Sequence, residues 1–182
     1  MSELQRFLPA DQDLLVGLFL RVGYWISGID DTDIGDGSEQ QEESQMLKIL
    51  KKLSQSDKLG VLCAELASEA LRQKGNWTRW STQTDTVLED VKKAKDLIIT
   101  QGTVEELPHF GKALVMIATA VAQAFREEAE DVAQEGNGYL SWLSEKATHV
   151  ALAINDRAAY KDLNISPAED SALNDLLTTL KG

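Results

Sequence analysis

The amino-acid sequence predicts an all-α protein with about seven helices in a compact bundle. Apolar residues recur at i, i+3 and i+4 along most of the chain, which is the period of one helix face. No window alternates apolar and polar residues over the length of a half-buried strand. The three prolines stand at positions 9, 108 and 167, where helices are expected to begin, and the first turn is where a helix tolerates proline.

The helical spacing assigns the elements in chain order. Apolar faces and stop signals place the helices at about 10–29, 38–53, 59–74, 87–102, 114–125, 140–154 and 166–180. The last start is well marked, since Ser166 suits the cap, Pro167 the first helical position and Glu169 the third. Between the third and fourth helices, Trp77 and Trp80 lie among polar residues, and we expect their rings to pack over the end of the bundle.

Length and an internal likeness indicate the domain organisation. A chain of 182 residues that is 43% apolar is long enough to bury one core, so we expect a single domain over residues 1–182. Two helix-loop-helix units resemble each other, because Glu42-Glu43 followed by Met46 matches Glu169-Asp170 followed by Leu173 at the same spacing. The domain is therefore expected to have pseudo-repeated halves, roughly residues 1–101 and 102–182.

The net charge narrows the classes of partner. The chain has 18 basic and 30 acidic residues, which gives a net charge of −12. Such a charge opposes binding to phosphate backbones and to anionic lipid surfaces, so we expect no nucleic-acid partner and no membrane insertion. A divalent cation, a cationic or protein partner, and a merely solvated acidic surface all remain open, as does the oligomeric state.

Cysteine usage and the first residues favour a cytoplasmic location. Cys63, the single cysteine, excludes an internal disulfide, and its apolar surroundings are typical of a small core residue in a reducing compartment. The segment Met1–Pro9 has neither the basic start nor the apolar centre of a signal peptide. The apolar run Leu14–Ile29 is interrupted by Arg21 and is short for a membrane span.

An acidic segment after the first helix is the candidate metal site. Seven carboxylates lie between positions 30 and 43, and Ca²⁺ or Mg²⁺ prefers such oxygen ligands. The predicted ligands are Asp31, Asp33, Asp36 and Glu42 or Glu43. Read as an EF-hand loop from Asp31, the segment has Asp36 where glycine is required, so a true EF-hand is rejected. The alternative is that these carboxylates stay solvated and complement the helix dipole.

These residues resemble the repeated helical unit of the TerB-like proteins of tellurite resistance. The best likeness is Asp162–Glu169 with Leu173 and Leu176, in which an acidic loop leads into a serine-started helix. The segment from Asp31 to Glu43 is similar and carries the aspartate-glycine step at Asp36-Gly37. The second unit has a leucine and an asparagine at that step, which counts against an equivalent second site. The resemblance implies an all-helical cytoplasmic protein with an acidic face that binds cations, in a stress or tellurite response, and it implies no catalysis.

Enzyme classes find little support in the sequence. A di-iron bundle needs two Glu-x-x-His pairs, but the chain has two histidines and one such spacing, Glu106 to His109. His109 is expected at a helix start, and His149 in or near the core. No serine has the glycine pattern of a nucleophile elbow, and no glycine-rich phosphate loop is present.

The alternative function is a non-enzymatic interaction module. An acidic face or exposed aromatic rings would dock a basic or helical partner without a metal. Clustered exposure of the aromatic rings would favour this reading. Burial of the rings, together with convergence of the first-loop carboxylates on one point, would favour the cation site. The rings concerned are those of Tyr24, Trp25, Trp77, Trp80 and Trp142.

Overall fold

The predicted all-α fold is confirmed. A computed structural model describes residues 2–29, 38–122, 138, 140–141, 144–145, 148 and 167–182, and for residues 38, 39, 41 and 42 it describes the backbone alone. Every regular element within these residues is helical, and the six described positions between 138 and 148 are helical too. The seven α-helices with defined bounds are α1 Pro9–Ser27, α2 Ser38–Ser54, α3 Gly60–Arg72, α4 Trp77–Thr82, α5 Val87–Gln101, α6 Glu106–Ala122 and α7 Pro167–Lys181.

Helix bounds differ from the predicted ones where apolar residues are sparse. The short helix α4 lies in the polar segment to which no helix was assigned, between the third and fourth predicted helices, and it follows a 3₁₀ turn at Lys74–Asn76. Helix α6 begins at Glu106, before its long apolar run and two residues before Pro108, where the sequence indicated a helix start. The predicted start of the last helix at Pro167 is confirmed. Both interhelical loops of the pseudo-repeat lie outside the described residues.

Helix α1 lies at the centre of the core. Every residue from Leu15 to Gly23 is buried, and α1 contacts α2, α3, α4, α5 and α6. Two glycines permit this close packing. A Cβ at Gly17 would lie 2.8 Å from Nε1 of Trp80, and one at Gly23 would lie 2.6 Å from Sδ of Met46. Helix α1 can occupy the centre of the core because the side chains of Trp80 and Met46 pack directly against its backbone at these two glycines.

Helix α7 packs on α5 and α6. It buries Leu173, Leu176 and Leu177, which occupy one face at helical spacing. Near its end, Nζ of Lys95 donates a hydrogen bond of 3.0 Å to the carbonyl oxygen of Thr179. Because late carbonyls of a helix lack intrahelical partners, this contact ties the end of α7 to α5.

Membrane crossing was not expected from the sequence. None of the helices in the described ranges combines the length and the apolar character that a bilayer span requires.

Candidate functional site

The predicted cation ligands are only partly placed by the structure. Asp31, Asp33 and Asp36 lie outside the described residues, and for Glu42 the backbone alone is placed, in the second turn of α2. Glu43 is described in full and is exposed. The structure therefore does not test whether the five carboxylates converge, and the cation site stays a prediction.

Glu43 lies close to the end of α1. Burial raises the pKa of the Tyr24 hydroxyl, and the nearby negative charge of Glu43 raises it further. On its other side, Glu43 shares a shallow surface depression on α2 with Lys48 and Lys51. This part of the predicted site therefore combines a carboxylate with two lysines, and the lysines weaken the local attraction for a cation.

Glu106 and His109, the one Glu-x-x-His spacing, have separate structural roles. The carboxylate of Glu106 accepts hydrogen bonds from Nη2 of Arg6, at 2.5 Å, and from the backbone N–H of Thr103, at 2.7 Å. His109 lies beside Gly60, which has a φ of +79° at the start of α3, and a Cβ at Gly60 would lie 3.2 Å from Nδ1 of His109. Among the described residues, no three or more His, Cys, Asp or Glu side chains are grouped so as to hold a metal ion.

The tryptophans of the 76–84 segment pack against the protein, and Trp80 enters the core beside α1. Trp80 is 1% exposed, and its ring lies against Gly17. Trp77 is partly buried, and its Nε1 donates a hydrogen bond of 2.8 Å to the carbonyl oxygen of Ala70. Tyr24 and Trp25 are also packed against the core, whereas Trp142 lies outside the described residues. The described rings thus form no exposed aromatic cluster.

A buried ion pair joins α1 to α5. Arg21 Nη2 donates to Asp90 Oδ2 at 2.7 Å and to Thr86 Oγ1 at 3.0 Å, and its Nε donates to the carbonyl oxygen of Gln83 at 2.7 Å. Burial alone would raise the pKa of Asp90, but hydrogen bonds from Lys93, Arg21 and Thr86 outweigh it and lower that pKa. Arg21 stands within an otherwise apolar run, and such an arginine indicates a buried charge. The sequence did not identify Asp90 as its partner.

Cys63 is a core residue, as predicted. Its side chain is buried, and burial, with a smaller effect from the negative charge of Glu106, raises the pKa of its thiol to about 12. A thiol of that pKa carries almost no thiolate at neutral pH, so it is a poor nucleophile and a poor metal ligand.

An apolar groove lies between α6 and α7. Its cavity measures about 380 Å³ and is open to solvent on one side. The floor is almost entirely hydrocarbon, and the charged side chains among its described lining residues are two lysines. The groove is lined from α6 by Leu107, Pro108, Gly111, Lys112 and Val115, from α7 by Leu177, Leu180 and Lys181, and by Thr148.

The lining residues follow from the spacing of the two helices. Positions 107, 108, 111, 112 and 115 occupy one stripe of α6, and positions 177, 180 and 181 occupy one stripe of α7. Gly111 adds no side chain between the stripes, and Leu180 is its nearest neighbour across the groove. The sequence placed Val115, Leu177 and Leu180 on apolar helix faces but did not indicate a groove, because an apolar stripe has the same spacing whether it faces the core or a groove.

Comparison of the chain with protein-family models, with curated proteins and with solved structures gave no match. The resemblance to TerB-like proteins therefore depends on the sequence pattern alone and stays a prediction.

Proposed function

We propose that this protein is a non-catalytic interaction module that binds an apolar segment of another protein in the groove between α6 and α7. The observation that carries the proposal is the groove itself, a solvent-open concavity of about 380 Å³ with a hydrocarbon floor. Its volume is within the range of specific ligand sites, and apolar surface left open to water favours association.

The packing around the groove supports a binding role for this surface. Val115 and Leu177 are nearly buried and anchor the floor to the core, whereas Leu107 and Leu180 keep part of their surface exposed. The site is thus built on two helices that the core holds in place, which is a better platform for a partner than a mobile loop.

The groove is tested by titrating a fluorescent helical peptide with leucines at i, i+3, i+4 and i+7 and an uncharged polar face. We expect saturable binding to the wild-type protein. Gly111→Phe is expected to weaken it at least about tenfold, because the added ring fills the space that the peptide needs. The matched control is Gly75→Phe, at an exposed glycine with no atom within 4 Å of its Cβ position, which should bind as the wild type does.

Either of two results would refute the groove as the binding surface. One is the absence of saturable binding to the wild-type protein. The other is equal weakening of binding by the Gly111 and Gly75 variants. Thermal unfolding of each variant, followed by circular dichroism, establishes that it is folded under the binding conditions.

Divalent-cation binding is the second candidate function, in keeping with the TerB-like acidic loop. It is favoured by two oxygen atoms on α7, the helix that follows the second loop of the pseudo-repeat. Oδ1 of Asp170 and Oδ1 of Asn174 are buried, have no hydrogen-bond partner within the described part of the chain, and lie four residues apart on one helix. Buried acceptors are normally paired, and a hard cation is one group that pairs with such oxygens.

Calorimetric titration of chelator-treated protein with Ca²⁺ and with Mg²⁺ tests this candidate. We expect saturable heat that is lost in the variant carrying Asp31→Asn, Asp33→Asn and Glu42→Gln, because each change removes a carboxylate from the predicted ligands. Asp170→Asn, tested separately, asks whether α7 contributes. No heat with the wild-type protein, together with an unchanged melting temperature on adding metal, would leave the acidic loop as a solvated helix start.

A further inference from the structure

We infer that the occupant of the groove is an amphipathic helix of a partner protein, with acidic residues beside its apolar stripe. This inference rests on the proposed function, because it names the occupant of the same groove. Three features support it, namely the charge of the rim, the glycine in the floor and the open shape between two helices.

The charge of the rim opposes that of the rest of the protein. The net charge of the chain is −12, yet the charged groups among the described residues that line the groove are Lys112 and Lys181, both exposed. Neither lysine has an ion-pair partner among the described residues. Because Gly111 packs against Leu180, the two lysines that follow them lie at the same part of the groove. A partner with acidic residues beside its apolar stripe complements this rim.

Gly111 in the floor favours a close approach by the partner's backbone. A Cβ at Gly111 would lie 3.4 Å from Cδ2 of Leu180, which is an ordinary van der Waals contact, whereas added Cβ atoms at Gly17 and Gly23 would clash. Packing inside the protein therefore does not require a glycine at position 111, although glycine is less favourable than alanine within a helix. The missing side chain keeps the floor of the groove low beside Leu180, and a low floor favours the approach of a helix to α6.

The shape of the groove favours a helix over the other apolar occupants. Addition of a strand needs a free sheet edge, and the described elements that form the groove are all helical. A fatty-acyl chain needs enclosure over most of its surface, whereas this groove is open along one side. An amphipathic helix needs only its apolar stripe covered and leaves its polar face in water.

Three peptides that share one leucine stripe and differ only in flanking residues test the occupant. The flanks are glutamate, glutamine or lysine, and affinity is measured by fluorescence anisotropy at low and at high salt. We expect the glutamate peptide to bind about threefold to tenfold more tightly than the glutamine peptide, and the lysine peptide to bind most weakly. High salt should bring the three affinities together.

Reversing the charge of the two rim lysines tests whether they set the order of the peptide affinities. Lys112→Glu with Lys181→Glu is expected to invert the order of the three peptides. Lys51→Glu with Lys92→Glu changes the net charge equally at two exposed lysines outside the groove and is expected to keep the order.

Failure of the inference is distinguishable from failure of the proposed function. Equal affinity for the three peptides, with binding still lost in Gly111→Phe, would overturn the acidic partner and leave the groove as a binding surface. If laurate binds more tightly than the glutamate peptide and displaces it, the occupant of the groove would be an acyl chain and not a helix. Binding of none of the three peptides would refute both proposals.

Discussion

Replacement of Asp90 by alanine is expected to lower the free energy of unfolding by about 3–5 kcal/mol, measured by equilibrium denaturation in urea. The substitution leaves the guanidinium of Arg21 buried without its carboxylate, and the Arg21 side chain is 6% exposed. Arginine stays protonated in proteins, so Arg21 cannot relieve the imbalance by losing its charge. Such a loss is a large share of the stability of a typical domain.

Arg21→Met is expected to cost less than Asp90→Ala. Asp90 keeps hydrogen bonds from Lys93 and Thr86 after the change, and a carboxylate can also accept a proton. The double variant Arg21→Met with Asp90→Leu should recover much of the loss, because it replaces the pair with apolar side chains.

The pair formed by Arg79 and Asp13 is the matched control. It too joins an arginine to an aspartate across two elements, but its side chains are 44% and 41% exposed. Asp13→Ala is therefore expected to cost less than about 1 kcal/mol. A similar loss from Asp13→Ala and Asp90→Ala would contradict the assignment of stability to burial of the α1–α5 pair.

The same pair contributes to acid sensitivity. The pKa of Asp90 is lower in the folded protein than its ordinary value of 3.8. A carboxyl of this kind adds stability that is complete above its unfolded pKa and is lost as the pH falls through its folded pKa. The unfolding free energy of Asp90→Asn is thus expected to depend less on pH below 3.8 than that of the wild-type protein.

Replacement of Trp80 by alanine is expected to destabilise the fold by about 3–5 kcal/mol, because the indole is fully buried and its removal leaves a cavity against α1. Gly17→Ala is expected to cost about 1–3 kcal/mol through the clash with the same ring. Chemical denaturation measures both changes.

The Gly17 and Trp80 substitutions should not be additive. Once the ring has been removed, the methyl group at position 17 enters open space, so Gly17→Ala should cost little in the Trp80→Ala background. Gly75→Ala, at a glycine with open surroundings, serves as the control and should change stability by less than about 0.5 kcal/mol. Full additivity would show that the methyl group at position 17 and the indole do not compete for space.

Helix positions could be predicted from the sequence where apolar residues repeat or a cap is strong. The start at Pro167 follows from a serine, a proline and a glutamate at fixed offsets, and the faces of α1 and α6 follow from their apolar period. Helix α4 could not be predicted in this way, because six residues give less than two turns of pattern. Its position depends on Trp80, which packs on Gly17 more than sixty residues earlier in the chain.

The candidate sites were harder to predict, for a physical reason. A stripe such as Leu107, Gly111 and Val115 has the same spacing whether it faces a core or a groove. Within the described residues, the position of α7 shows that part of this stripe stays uncovered. Arg21 similarly signals a buried charge, but nothing near it in sequence identifies Asp90 as the partner. The acidic segment, in contrast, is conspicuous in the sequence, but among its predicted ligands the structure describes the side chain of Glu43 alone.

Helix α7 forms one wall of the groove, and this links binding to the local stability of the chain's last helix. The helix is held to α5 and α6 by its leucines and by the contact between Lys95 and Thr179. If α7 detaches, the groove loses a wall, so any occupant binds only the docked form and stabilises it by mass action. The free energy of binding then adds to the stability of docked α7, and slower hydrogen exchange of the α7 backbone amides in the presence of the partner would measure it.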